Sequence, residues 1–104
     1  MTKTKTSYKP KITENDVKKV VKDYLTIKGW FHFHVLQGLG AYKGIPDIIA
    51  IKGGNTFPRV LFIEVKKPMG KQSQYQKDFE NNIKSQGGEY VLVRCLEDLI
   101  KANV

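Results

Sequence analysis

A single cysteine among 104 residues excludes an internal disulfide, and two histidines add too few ligands for a structural zinc cluster. Cys95 itself is expected to be a small buried hydrophobe rather than a nucleophile. Long apolar runs are also missing. No segment approaches the roughly 20 residues needed to cross a bilayer. The basic N-terminus leads into no signal-type hydrophobic stretch, so a cytoplasmic protein without membrane contact is expected. Acidic residues are scarce, ten against eighteen Lys and Arg, and the net charge of +8 makes a polyanion, above all nucleic acid, the expected partner. Nucleotide-binding loops are absent too. The stretch 37–44 has three glycines, but a strand rather than a helix follows it and it lacks a Gly-Lys-Ser/Thr ending, so no small-molecule cofactor is expected.

What is present reads as one α/β domain. A hydrophobic share of 40% with clear periodicity argues against disorder. Residues 1–12 form a basic tail, with Lys3, Lys5, Lys9 and Lys11 all preceding the first acid, Glu14, and the tail is expected to be flexible unless nucleic acid or a partner holds it. The domain itself is placed at 13–104. Val17, Val20, Val21, Tyr24 and Leu25 follow helical spacing from Glu14 to Lys28, after a Thr13 cap and before a Gly29 stop. Trp30 to Leu36 alternates Phe31, Phe33 and Val35 with His32 and His34, indicating a half-buried strand whose histidines form a polar face rather than a metal site. Ile45 to Ile51 and Arg59 to Lys66 are rich in β-branched residues and read as a hairpin. Gly53, Gly54 and Pro58 make the turn between them. A helix then starts at Ser73 with Tyr75, Phe79 and Ile83 on one face and stops at Gly87-Gly88. A strand from Glu89 to Arg94 and a short helix from Leu96 to Ala102 close the chain. The order αβββαβα implies a mixed sheet flanked by helices, the hairpin antiparallel and the last strand returned in parallel by the crossover helix.

The chemistry concentrates in Gly44-Ile45-Pro46-Asp47 and Glu64-Val65-Lys66, with sixteen residues between Asp47 and Glu64. Reflecting the hairpin about Asn55 sets Asp47 opposite Ile63, one position from Glu64, so contact between the two acids calls for a bulge or a diagonal. Glu64 and Lys66, two apart on a strand, share a face. Paired carboxylates at the end of apolar strands are costly unless a cation neutralises them, and hard oxygen ligands suit Mg²⁺ or Mn²⁺. Lys66 beside such an ion could hold or deprotonate a water and stabilise charge on a phosphorus centre. The plainer alternative is a strand-end ion pair of Glu64 with Lys66 or Lys67, with Asp47 in a turn after Pro46. Lys67 and Lys71 follow as phosphate contacts. Tyr42 could stack on a base and Lys43 bind a phosphate, or both could populate a surface loop.

These residues resemble the PD-(D/E)xK nucleases, and within them the virus-type replication-repair nuclease (VRR-NUC) domain. The likeness runs through Thr13-Glu14-Asn15-Asp16, Gly44 to Ile49, Phe62 to Lys66 and Gly70 to Gln76, in order and over nearly the whole chain. It implies an αβββαβ nuclease core with a short C-terminal helix added, and a metal- and DNA-binding site at one edge of the sheet. Asp47, Glu64 and the Val65 main-chain carbonyl would ligate Mg²⁺ or Mn²⁺, with Lys66 serving the attacking water. Glu14 would reach the metal through water, and Gln76 would orient Lys66 or the scissile phosphate. Both also have structural explanations. Glu14 suits the positive end of a helix, and Gln76 completes a Ser73-x-x-Gln76 capping box. Tyr42, Lys43, Lys67, Lys71 and Ser73 complete the expected DNA contacts. The resemblance further implies a homodimeric endonuclease on branched DNA, a Holliday-junction resolvase serving recombination or repair in a bacterial or phage-infected cell. A flap nuclease on the same fold and a non-catalytic basic DNA-binding module are the alternatives.

Overall fold

The computed structural model describes residues 11–38 and 40–104. Of the basic tail, Lys3, Lys5 and Lys9 lie outside the described residues, as does Leu39 of the glycine loop; Lys11 and Ile12 are exposed and belong to no helix or strand.

The elements are α1 (Glu14–Ile27), β1 (Phe31–His34), β2 (Ile48–Lys52), β3 (Arg59–Val65), α2 (Gln74–Ser85), β4 (Glu89–Val93) and α3 (Leu96–Lys101). The four strands lie in the order β1-β2-β3-β4, antiparallel across the first two pairs and parallel across the last. The protein is thus an α/β domain with the mixed sheet anticipated. Strand ends fall within three residues of the expected positions, with Ile45, Pro46 and Asp47 preceding β2 rather than opening it.

Capping fixes both long helices. Thr13 accepts from the Asp16 amide while Asp16 accepts from the Thr13 amide, and Ser73 and Gln76 repeat the arrangement on α2. Val17, Val21 and Leu25 of α1 are buried, but Val20 is 45% exposed, because a 14-residue helix packed on one side buries a narrower stripe than the apolar spacing suggests.

The core lies on one face of the sheet. Ile48, Ala50, Leu61, Ile63, Val65 and Val93 pack with Val17, Val21, Leu25, Leu99 and Val104, each large side chain contributing about 1.5–3 kcal/mol by leaving water. The other face meets α2, where Phe79 packs on Phe62 at 5.9 Å between ring centroids. Two expectations fail here. Phe31 and Phe33 are exposed rather than half-buried, since they share the face of Ile51 and Ile49 while α2 covers the β3–β4 side. His32, on the core side, instead sits within 2.9 Å of the Thr26 hydroxyl. Cys95 is exposed rather than buried, because it caps α3 at the surface, where the Asp98 carboxylate accepts from the Arg94 and Cys95 amides.

Among the described residues no helix is long and apolar enough to cross a membrane.

Candidate metal centre and flanking clefts

The β2–β3 register pairs Ile48 with Ile63, so one step further Asp47 stands opposite Glu64. No bulge or diagonal is needed. The hairpin is centred between Asn55 and Thr56, half a residue beyond the reflection point taken from the loop, which doubles to one position across the strands. The site therefore sits at the end of the two central strands rather than at an edge of the sheet.

Both acids are removed from water, Asp47 at 5% and Glu64 at 2% exposure. Asp47 Oδ2 accepts from the Val65 amide at 2.8 Å, which locks the two strand ends together. Its other oxygen lies 3.5 Å from the Lys18 ammonium, which also pairs with Glu14 at 3.3 Å. Glu64 Oε2 accepts from the Gln76 amide at 3.0 Å and faces the Lys66 ammonium at 3.6 Å. Glu64 Oε1 has no partner. Burial, then the neighbouring Asp47 charge, push the Glu64 carboxyl up to about 8, against the opposing pull of Lys66.

An oxygen buried without a donor, beside a second carboxylate, is what an absent cation would explain. Asp47, Glu64 and the adjacent Val65 backbone fit a hard divalent ion of the Mg²⁺ or Mn²⁺ kind. Among the described residues no three His, Cys, Asp or Glu side chains gather into a ready-made metal shell, since Lys18 intervenes between Glu14 and Asp47. Water ligands would complete the coordination, as is usual for Mg²⁺.

Gln76 is both cap and site neighbour. Its Oε1 accepts from the Ser73 amide at 2.8 Å while its Nε2 donates to Glu64, so the capping box aims the side chain at the carboxylate. A cleft of about 360 Å³ gathers Tyr42, Lys43, Ser73, Tyr75 and Gln76 beside the pair. Lys43 lies 4.8 Å from the Tyr75 ring centroid, and Tyr42 packs edge-on to Phe79. Gly44 brings this loop onto α2. It has φ +84°, and a Cβ there would collide with the Tyr75 carbonyl, so only glycine fits. Lys67 and Lys71 are exposed nearby in the chain and lie outside that cleft.

Lys18 escaped the sequence reading. Its spacing from Glu14 signals an ordinary i,i+4 pair, while its contact with Asp47 depends on how α1 lies over the sheet. Tyr90 was also missed. It is buried on the Glu64 face of the sheet, and its hydroxyl accepts from Gln72, which also donates to Glu80.

No protein-family model matches this sequence, and no curated protein matches it.

Proposed function

We propose that the chain is a divalent-metal-dependent endonuclease of the PD-(D/E)xK type, similar to VRR-NUC domains. Its substrate would be branched DNA, above all a four-way junction, and its working unit a homodimer. The observation that carries this reading is the buried Asp47–Glu64 pair with Glu64 Oε1 left without a partner, next to the Lys66 ammonium.

Asp47, Glu64 and the Val65 carbonyl would hold Mg²⁺ or Mn²⁺, with Glu14 contributing through water. Such an ion, when bound, polarises a phosphoryl oxygen and lowers the pKa of a coordinated water. The chain's own groups do the rest. Lys66, 16% exposed and on the Glu64 side of the strand, orients the water and offsets negative charge as it builds on phosphorus. The Val65 amide holds Asp47 in place, and Gln76 holds Glu64. Tyr42, Lys43 and Ser73 receive the strand in their cleft by stacking and phosphate contact. Lys67 and Lys71 neutralise phosphates beyond it.

The αβββαβα order and mixed sheet are compatible with this class. The basic groups suit backbone contacts, which position DNA without reading its sequence. Paired cuts on a symmetric junction need two sites related by a dyad, and one chain has one site.

The test is incubation of the protein with end-labelled single strands, linear duplex, flaps and a four-way junction, each with Mg²⁺, Mn²⁺ or EDTA. Symmetric metal-dependent nicks confined to the junction support a resolvase. Cutting of flaps instead keeps the chemistry and changes the substrate. Tight binding without any cutting leaves a DNA-binding module and removes the catalytic role.

A further inference from the structure

A second cleft, about 410 Å³, lies between α1 and the end of β1, lined by Asn15, Lys18, Lys19, Lys22, Asp23 and His34. It meets the carboxylate pair from the Asp47 side. His34 pairs with Ile48, the Val35 amide donates to the Asp47 carbonyl at 2.7 Å, and Lys18 reaches Asp47 directly. The Tyr42–Lys43–Gln76 cleft meets the same pair through Gln76 on Glu64.

Helix stability accounts for Lys18, which pairs with Glu14 one turn before it, but not for Lys22. Lys18 and Lys22 are like charges one turn apart, which disfavours the helix, and α1 has no basic residue in its last turn, where the dipole would reward one. Lys19 pairs with Asp23 at 3.3 Å, but both side chains are largely exposed and such pairs are weak. Among the described residues Lys22 has no acidic partner within ion-pair distance.

We infer that this cleft binds backbone phosphates of the nucleic acid, with Lys19 and Lys22 as the principal contacts. The strand then runs past Asp47 and Glu64 from one cleft to the other, open at both ends, which suits cutting within a chain rather than trimming its end. The inference rests on the nuclease reading and adds the second half of the substrate track.

The test compares K19A/K22A with K77A/K101A, which removes the same charge from exposed positions on α2 and α3. Affinity for a fluorescent four-way junction and for a single strand is measured by anisotropy in EDTA over a range of salt. The expected result is a loss of about tenfold or more for K19A/K22A at moderate salt. Its slope of log K against log salt should be shallower by roughly 1.4–1.8, the share of two phosphate contacts, while K77A/K101A changes little. Equal losses in the two variants, or wild-type affinity in K19A/K22A, overturn the inference. Wild-type cleavage with Mg²⁺ is scored in parallel. If the wild type cuts while K19A/K22A binds normally, only the inference fails. If the wild type neither binds nor cuts, both readings fail.

Discussion

Strand β3 carries a charged residue near each end, and the two ends are treated in opposite ways. At its start, Arg59 donates to both Glu89 oxygens at 2.8–3.1 Å and to the Asn103 and Ala102 carbonyls at 2.6 and 2.9 Å, over the Trp30 ring. Its charge is answered at every nitrogen, and the cluster ties the C-terminus to the sheet. At the far end, Glu64 is more deeply buried, stands opposite another acid, and leaves one oxygen unpaired. The only other buried side-chain polar atom without a partner among the described residues, Trp30 Nε1, is uncharged. A satisfied cluster stabilises. A frustrated one is held in place by the rest of the fold and is available for a ligand.

The sharpest way to separate the two ends is activity. Lys66→Ala should lower cleavage of the preferred substrate by about 10²–10³-fold, and Asp47→Ala by at least as much. Arg59→Met should leave cleavage per folded molecule unchanged. A loss of cleavage in Arg59→Met at full folding would erase the distinction.

The second contrast is in stability. The Glu64 carboxyl is raised from about 4.5 to about 8 in the folded protein. Between those values the folded state holds a proton that the unfolded state has released, so stability is full below pH 4.5 and declines as pH rises towards 8. Glu64→Gln removes that decline. In EDTA at pH 8.5 it should be more stable than wild type by on the order of 3 kcal/mol, with the gap closing near pH 4, as read by urea unfolding. A variant less stable than wild type at pH 8.5 would mean that the site is not strained.

Arg59→Met, by contrast, should cost about 2 kcal/mol with little variation between pH 5 and 9, discounted for the partial exposure of the Arg59–Glu89 pair. Smallest is Gln76→Ala, which loses half a capping box and one donor to Glu64. It should cost about 1 kcal/mol and lower cleavage less than Lys66→Ala does.

The elements and the Glu64 end of this contrast were legible in the sequence. Helical spacing, the alternation in the first strand and β-branched apolar runs in the hairpin placed the main elements, and the Thr13 cap and the Ser73-x-x-Gln76 spacing mark the two long helix starts. Proximity of Asp47 to Glu64 followed from hairpin geometry, but the offset between them did not, because a loop's midpoint fixes register only to within a residue. Lys18 and Arg59 were not legible as cluster members. Their partners Asp47, Glu89 and the Ala102 and Asn103 carbonyls are brought to them only by packing. The exposure of Phe31 and Phe33 was hidden for a similar reason, since alternation shows that a strand has two faces but not which one a helix will cover.

Calorimetric titration of Mn²⁺ into wild type and Glu64→Gln at pH 8 tests the central claim most directly. Saturable binding is expected in the wild type, with release of about half a proton per Mn²⁺, since Glu64 is about half protonated at this pH, and loss of both in the variant. Binding of equal affinity in the two proteins, or none in the wild type, would contradict a metal centre at the Asp47–Glu64 pair.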